Sequence, residues 1–263
     1  MQRKQKERLI KMALIGISSI TIIMLVWIIG YVILKGITHI NIGKLVPPIV
    51  STLYMVGISL LISAPIGIGA AIYLNEYAKP GKFVNAIRFA TESLAAVPSI
   101  IFGLFGMTFF LVQCKLGISI MSGALTVSIM VLPTLVKTTE EALKTVPVSY
   151  REGSLALGAS QFKTIIKVVL PSALPGILTG VVLGTGRIVG ETAAIYLTAG
   201  TMYRLPENPM ESGRTLAVHL YLSAKEGISF DEAYGTAVVL LITILLLNLL
   251  TYFIGHQLSK VKS

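Results

Sequence analysis

Apolar stretches long enough to cross the hydrocarbon core of a bilayer recur six times along the chain, and little else constrains its fold as strongly. They lie near 12–34, 51–75, 93–113, 118–136, 172–200 and 235–255. Of the 263 residues, 54% are hydrophobic and only 13% charged, far from the balance of a water-soluble domain. The expected architecture is all-α: a polytopic membrane protein of six transmembrane helices, forming one permease-like domain over 1–263. The first run, Met12 to Leu34, is too long for a signal-peptide core and reads as a retained span. Pro65, Pro98 and Pro133 fall inside the second, third and fourth spans, where neighbouring helices can satisfy the carbonyls that a kink frees.

A net charge of +10 would suit a nucleic-acid partner, but the basic residues fall between the spans, so no nucleic acid is expected. Fifteen of the 22 Lys and Arg residues lie in the termini, the second-to-third connection and the fourth-to-fifth connection; six lie in the other loops. By the positive-inside rule both termini and the 138–171 connection face the cytoplasm, in a multi-pass protein of the cytoplasmic membrane surrounded by lipid. Cys114 is the single cysteine, so no internal disulfide is possible, and it is expected to be a small buried side chain. His39, His219 and His256 are isolated and have no metal-ligand spacing, so neither a metal nor another cofactor is expected. Residues 214–225 read as an amphipathic helix lying on the outer surface, and Ser229 with Glu232 as a capping box opening the last span.

No phosphate-binding loop of the G-x-x-x-x-G-K-[ST] type occurs. Gly184–Gly190 only resembles a dinucleotide fingerprint: its third glycine is one residue late and no strand precedes it. The chain is therefore read as non-enzymatic, with no catalytic residues; if ATP powers it, another chain hydrolyses the ATP. The 138–171 connection looks like a folded element. Thr138 and Glu141 have capping-box spacing, and Pro147 would end that helix. Ser149 and Glu152 repeat the spacing, Gly158 sits where a helix would stop in a left-handed residue, Ser160 can cap another helix, and Leu170-Pro171 would close it. With Leu155, Leu157, Phe162, Ile165 and Ile166 as an apolar side, such a hairpin suits docking into a partner's groove. The alternative is that Glu152 merely caps its own helix.

Gly176, Gly180 and Gly184 form a small-residue stripe on the fifth span, suited either to close helix packing or to lining a permeation path. Arg187 and Glu191, four apart, are expected on one helical face near the middle of that span. Ionisable groups at that depth face the bundle interior or a wet cavity. They are either a neutralising pair, or a cation beside a translocating anion with Glu191 as counter-charge or gate. A guanidinium suits bidentate oxyanion contact, and Thr192 adds a hydrogen-bond donor.

Glu152, Gly158 and Val168-Val169-Leu170-Pro171 together resemble the EAA motif of ABC-importer permeases, whose pattern is E-A-A, three residues, G, nine residues, I-x-L-P. Gly153 and Ser154 stand for the two alanines and Val168 for the isoleucine. Tyr73–Tyr77, Val97–Gly106, Leu170–Gly180 and Gly190-Glu191-Thr192-Ala193 are similar to the PstA branch of phosphate-importer permeases, across roughly 50–255. The resemblance implies a MetI-like fold. It also implies three kinds of partner component: a PstC-like second permease, a cytoplasmic PstB-like ABC ATPase dimer and an extracytoplasmic PstS-like phosphate-binding protein, with phosphate as cargo. By position it places Glu152 and Gly158 in the ATPase groove and Arg187 and Glu191 along the phosphate path; Leu157, Phe162 and Pro171 of the hairpin are expected to join the coupling face, and Thr192 the path. Molybdate, tungstate or sulfate are the rival cargoes, and an ion-coupled secondary transporter the rival class.

Overall fold

The computed structural model describes residues 2–260 apart from 226 and 228, and these are folded into helices joined by turns and one longer loop over 199–215. Helix α1 (Gln2–Gly36) leads into α2 (Ile42–Ile72), which runs on as a π-helical turn over Tyr73–Tyr77. Then come α3 (Lys82–Ala95), α4 (Ser99–Gly106) with a π-helical continuation to Gln113, and α5 (Ile120–Lys144). Two short helices follow, α6 (Val148–Ala156) and α7 (Gln161–Thr164), the latter passing through a π turn, Ile165–Val169, into α8 (Leu170–Gly190). The chain ends with α9 (Ala193–Thr198), α10 (Leu216–Lys225) and α11 (Phe230–Lys260). Five of these units are long and apolar enough to cross a membrane, six if the bent pair α3–α4 counts as one.

The bundle is centred on α5. Its Val127, Met130, Val131 and Leu135 are fully buried, against Met55 of α2 and Ile188 of α8. Lipid offers no hydrophobic gain for bringing helices together, so close approach and hydrogen bonds between helices must supply the attraction. On the α2 side, Ser59 Oγ donates to the Ala124 carbonyl (3.1 Å), and Ser128 Oγ returns a bond to the Ser59 carbonyl (3.2 Å). On the α8 side, the glycine stripe lies flat on α5. A Cβ at Gly176 would stand 2.5 Å from Ala142 Cβ, one at Gly180 would overlap the Thr138 side chain, and one at Gly184 would stand 3.0 Å from Val131. The stripe therefore faces a helix of its own chain. Gly180→Val is expected to cost about 1–3 kcal/mol by overpacking and to lower the melting temperature of the detergent-purified protein. Substitution at Gly186, where a Cβ meets nothing, is expected to leave melting unchanged.

Helix α1 leans on α11 only near its end. The Tyr31 and Tyr234 rings meet edge to face at 6.0 Å, and Gly36 lets the Tyr234 backbone come close. Residues 10–28 of α1 are exposed all round, an apolar surface facing lipid or a neighbouring chain.

Several expectations are corrected. The span near 93–113 is not one kinked helix, because α3 and the Ser99–Gln113 helix are bent by 100°. Pro98 precedes α4 with extended backbone, and α3 carries the charged Arg88 and Glu92. Arg88 ties α3 to Glu140 of α5 (2.6 Å), which Lys144 also reaches (3.5 Å). No helix starts at Thr138: α5 is continuous through it, and its Oγ1 bonds back to the Thr134 carbonyl (2.8 Å). Leu170-Pro171 does not close a helix, since one helical unit runs from Gln161 to Gly190. Pro171 has no N–H, and its ring would collide with the carbonyl four residues back. The π turn just before it, in which Leu170 N reaches the Ile165 carbonyl, absorbs that misfit. Helix α10 does not lie on the surface: Leu216, Val218, His219 and Leu222 are buried, and Leu216 N donates to Thr52 Oγ1 of α2 (3.0 Å). Cys114 is exposed. His256 side-chain surroundings lie outside the described residues.

Candidate coupling hairpin and membrane-depth charge site

Between α5 and the Gln161–Gly190 unit the chain makes a compact hairpin of α6 and α7 at one end of the bundle. Ser149 does not cap α6, which begins one residue earlier behind Pro147, a residue that fixes φ and has no N–H to satisfy. The C-terminus of α6 is a Schellman turn. Gly158 adopts φ +82°, its N–H donates to the Leu155 carbonyl (2.9 Å), and Ala159 N donates to the Ser154 carbonyl (3.2 Å). Ser160 Oγ then accepts from Lys163 N (3.3 Å), capping α7. Ser154 and Thr164 hydroxyls join the two short helices at 2.9 Å.

The outer side of this hairpin is apolar and uncovered. Leu157 is 90% exposed, and Val148, Tyr150, Leu155 and Phe162 stand out with it. Ile165 is buried against the bundle instead, because it lies where α7 has already entered the span. Glu152 is exposed beside this patch and takes no hydrogen bond among the described residues, so it does not cap α6.

Its neighbour Arg151 is half-buried, and sequence reasoning passed over it. Arg151 Nη2 donates to Glu76 Oε1 (2.8 Å) and Nε to Glu76 Oε2 (3.2 Å). The same guanidinium donates to the Val146 carbonyl (2.7 Å) and the Leu143 carbonyl (2.9 Å), the open end of α5. Gln161 Nε2 donates to the Glu76 backbone carbonyl (2.7 Å). The signal was present in the Tyr73–Tyr77 segment, which carries an acid at the end of an otherwise apolar helix.

The fifth span does not carry Arg187 and Glu191 on one helical face. Helix α8 ends at Gly190, and Glu191 is extended (ψ 132°), its carboxylate accepting from Ala194 N (3.0 Å) to start α9. Arg187 therefore has no carboxylate partner among the described residues; its one side-chain bond goes to Thr134 Oγ1 of α5 (3.4 Å). The result is a partly buried, unneutralised guanidinium one turn before a break in the helix. Gly190 and Thr192, at the break, line a 620 Å³ cavity with Ile100, Tyr196 and Tyr221. Irregular backbone at such depth is tolerated only inside protein or along a wet cavity.

At the end of the bundle away from the hairpin, the loop between α9 and α10 is knotted onto the helix ends. Tyr203 and His219 rings stack at 5.1 Å, Arg214 lies over Tyr203 (5.1 Å), and Tyr203 OH donates to the Lys44 carbonyl (2.6 Å). Arg214 Nη1 approaches His219 Nδ1 (3.5 Å), which places the neutral ring's proton on the buried Nε2. Burial, then the Arg214 and Lys44 charges, lower the His219 pKa, against a smaller opposing pull from Glu232. The folded protein binds this proton more weakly than the unfolded chain. Stability from this knot is complete above the ordinary value of 6.5 and is lost as pH falls below it. Melting temperature is expected to fall between pH 7 and 5, and His219→Gln to flatten that dependence.

The sequence matches the family model "Binding-protein-dependent transport system inner membrane component" over residues 63–261. It is 32% identical over 272 residues to the probable ABC transporter permease protein YqgI of Bacillus subtilis (strain 168), covering 92% of each chain. It is 33% identical over 264 residues to the phosphate transport system permease protein PstA of Haemophilus influenzae, covering 93% of each. In fold it resembles a chain of the inward-facing MetNI methionine ABC transporter, with a TM-score of 0.61 and 19% identity over 84% of this chain and 97% of that one. The continuous helices, the hairpin between α5 and α8 and these likenesses agree, and the chain belongs to the binding-protein-dependent transport system inner membrane component family, as a multi-pass permease subunit of an ABC importer.

Proposed function

We propose that this subunit carries inorganic phosphate inward, driven by an ATPase that grips its hairpin. One observation carries the reading: Arg187 lies in an apolar helix long enough to span the membrane and has no carboxylate partner among the described residues. Such a charge is costly unless water or an anion meets it, and its planar fork suits two oxygens of a tetrahedral oxyanion. At the helix break that follows, Gly190 and Thr192 line a cavity, where the Thr192 hydroxyl adds a donor. Glu191 supports the path by holding the start of α9 rather than by pairing with Arg187.

The uncovered apolar patch of Leu155, Leu157 and Phe162, with Glu152 at its rim, is the docking face for a cytoplasmic ABC ATPase dimer. The excess of Lys and Arg on that side supports a cytoplasmic position for this face and both termini. A second permease of PstC type completes the path, and an extracytoplasmic phosphate-binding protein loads it from the side of the Tyr203–His219 knot. The 33% identity to a PstA protein favours phosphate over other oxyanions. Competition decides the cargo: labelled phosphate uptake by the reconstituted importer should be blocked by excess unlabelled phosphate and untouched by equal molybdate, tungstate or sulfate. Displacement by one of the latter would reassign the substrate.

A further inference from the structure

The hairpin is joined covalently to two membrane helices only, α5 behind it and α8 ahead of it. A force entering at Leu157 and Phe162 would reach those two through the chain and the others only by packing. The Arg151 side chain adds a third route. It spans from α6 to Glu76, at the inner end of α2, with two donor–acceptor contacts of 2.8 and 3.2 Å. Glu76 is only 8% exposed and Arg151 19% exposed, so the pair is shielded from solvent and salt. Asn75 Nδ2 holds the same carboxylate (2.7 Å), and Gln161 from α7 holds the Glu76 carbonyl (2.7 Å), so both short helices reach one residue of α2. The remaining guanidinium hydrogens satisfy the last carbonyls of α5. Glu76 itself sits in the π turn Tyr73–Tyr77, a widened piece of helix that aims the carboxylate at the hairpin.

We infer that Arg151 and Glu76 form a strap that makes α2 a direct arm of the coupling hairpin. Both are positioning residues: neither touches the motor face or the anion. The strap gives the half-buried Arg151 a role distinct from that of the exposed Glu152 next to it. Glu152 meets the partner and Arg151 transmits what the partner does. Through α2 the motion reaches the opposite end of the bundle, because Thr52 of α2 holds the start of α10 and the Lys44 carbonyl holds Tyr203. The hairpin thus communicates with the outer knot along one rigid helix.

This inference rests on the ATPase-driven reading of the hairpin, and the test separates the two. In proteoliposomes holding the complete importer, phosphate accumulated per ATP hydrolysed is measured for wild type, Glu76→Gln and Arg151→Gln. Both variants should retain the motor and its ATP hydrolysis, while the ratio falls about tenfold, within the range of coupling energies between linked sites. A Glu76→Cys, Arg151→Cys pair in a Cys114→Ser background should be equally uncoupled, and bridging the pair with a short bis-methanethiosulfonate should restore the ratio. An unchanged ratio, or parallel loss of hydrolysis and uptake that bridging does not rescue, would overturn the strap. Absence of ATP-driven phosphate uptake in the wild-type vesicles would overturn the functional reading first, and the strap with it.

Discussion

Arg187→Gln is expected to bring phosphate uptake to background while the importer still assembles at normal yield. Among the described residues Arg187 makes a single long side-chain bond, to Thr134, and pairs with no carboxylate, so little of the fold depends on it. Glutamine is shorter and gives up this one long bond but keeps a polar amide and adds no bulk, so α8 should pack on α5 as before. The loss falls on the anion. A charged partner removed from a shielded contact costs about 2–5 kcal/mol, roughly thirtyfold to a few thousandfold in the rate of passage. Arg187→Lys should recover part of it, since a point charge remains but the two-pronged geometry does not. The check is labelled phosphate uptake beside co-purification of the partner subunits. Normal transport by Arg187→Gln would remove this residue from the path.

Leu157→Asp and Glu152→Arg are expected to release the motor without unfolding the membrane domain. Leu157 is 90% exposed and supports nothing in its own chain. Its burial in a partner groove would contribute about 1.5–3 kcal/mol, and a carboxylate there reverses the sign of the contact. Glu152 sits at the rim, where charge reversal acts on association and its salt dependence. The two variants together should lower ATPase co-purification at least tenfold and leave the melting temperature of the subunit within a degree or two of wild type. Unchanged co-purification would mean that the exposed patch faces something other than an ATPase.

The helical, membrane-spanning character was legible because apolar runs of that length have few other fates. The hairpin turn was legible at Gly158 and Ser160, where backbone conformation and a cap are local chemistry. What failed was local reasoning applied to helix continuity. Thr138 and Glu141 have the spacing of a helix start yet lie inside α5, because a Thr hydroxyl can equally bond back along the helix it is in. Ser149 and Glu152 do mark a helix start, but α6 opens behind Pro147, one residue before Ser149. Pro171 reads as a stop, but a π turn ahead of it accommodates the ring, and no residue pattern announced that turn. Arg187 and Glu191 share a face only if the helix continues. It ends at Gly190, because glycine is a poor helix former there and the Glu191 carboxylate can start a new helix at Ala194. The Arg151–Glu76 pair joins residues 75 apart in the chain, a contact that spacing arguments do not reach.

The most direct test of the account is ATP-dependent phosphate accumulation in vesicles containing this subunit with its partner permease, the ATPase and the binding protein, measured beside vesicles containing this subunit alone. Accumulation that needs ATP and the ATPase, and that vanishes with Leu157→Asp, is the predicted result. Accumulation by the lone subunit, indifferent to ATP, would contradict it.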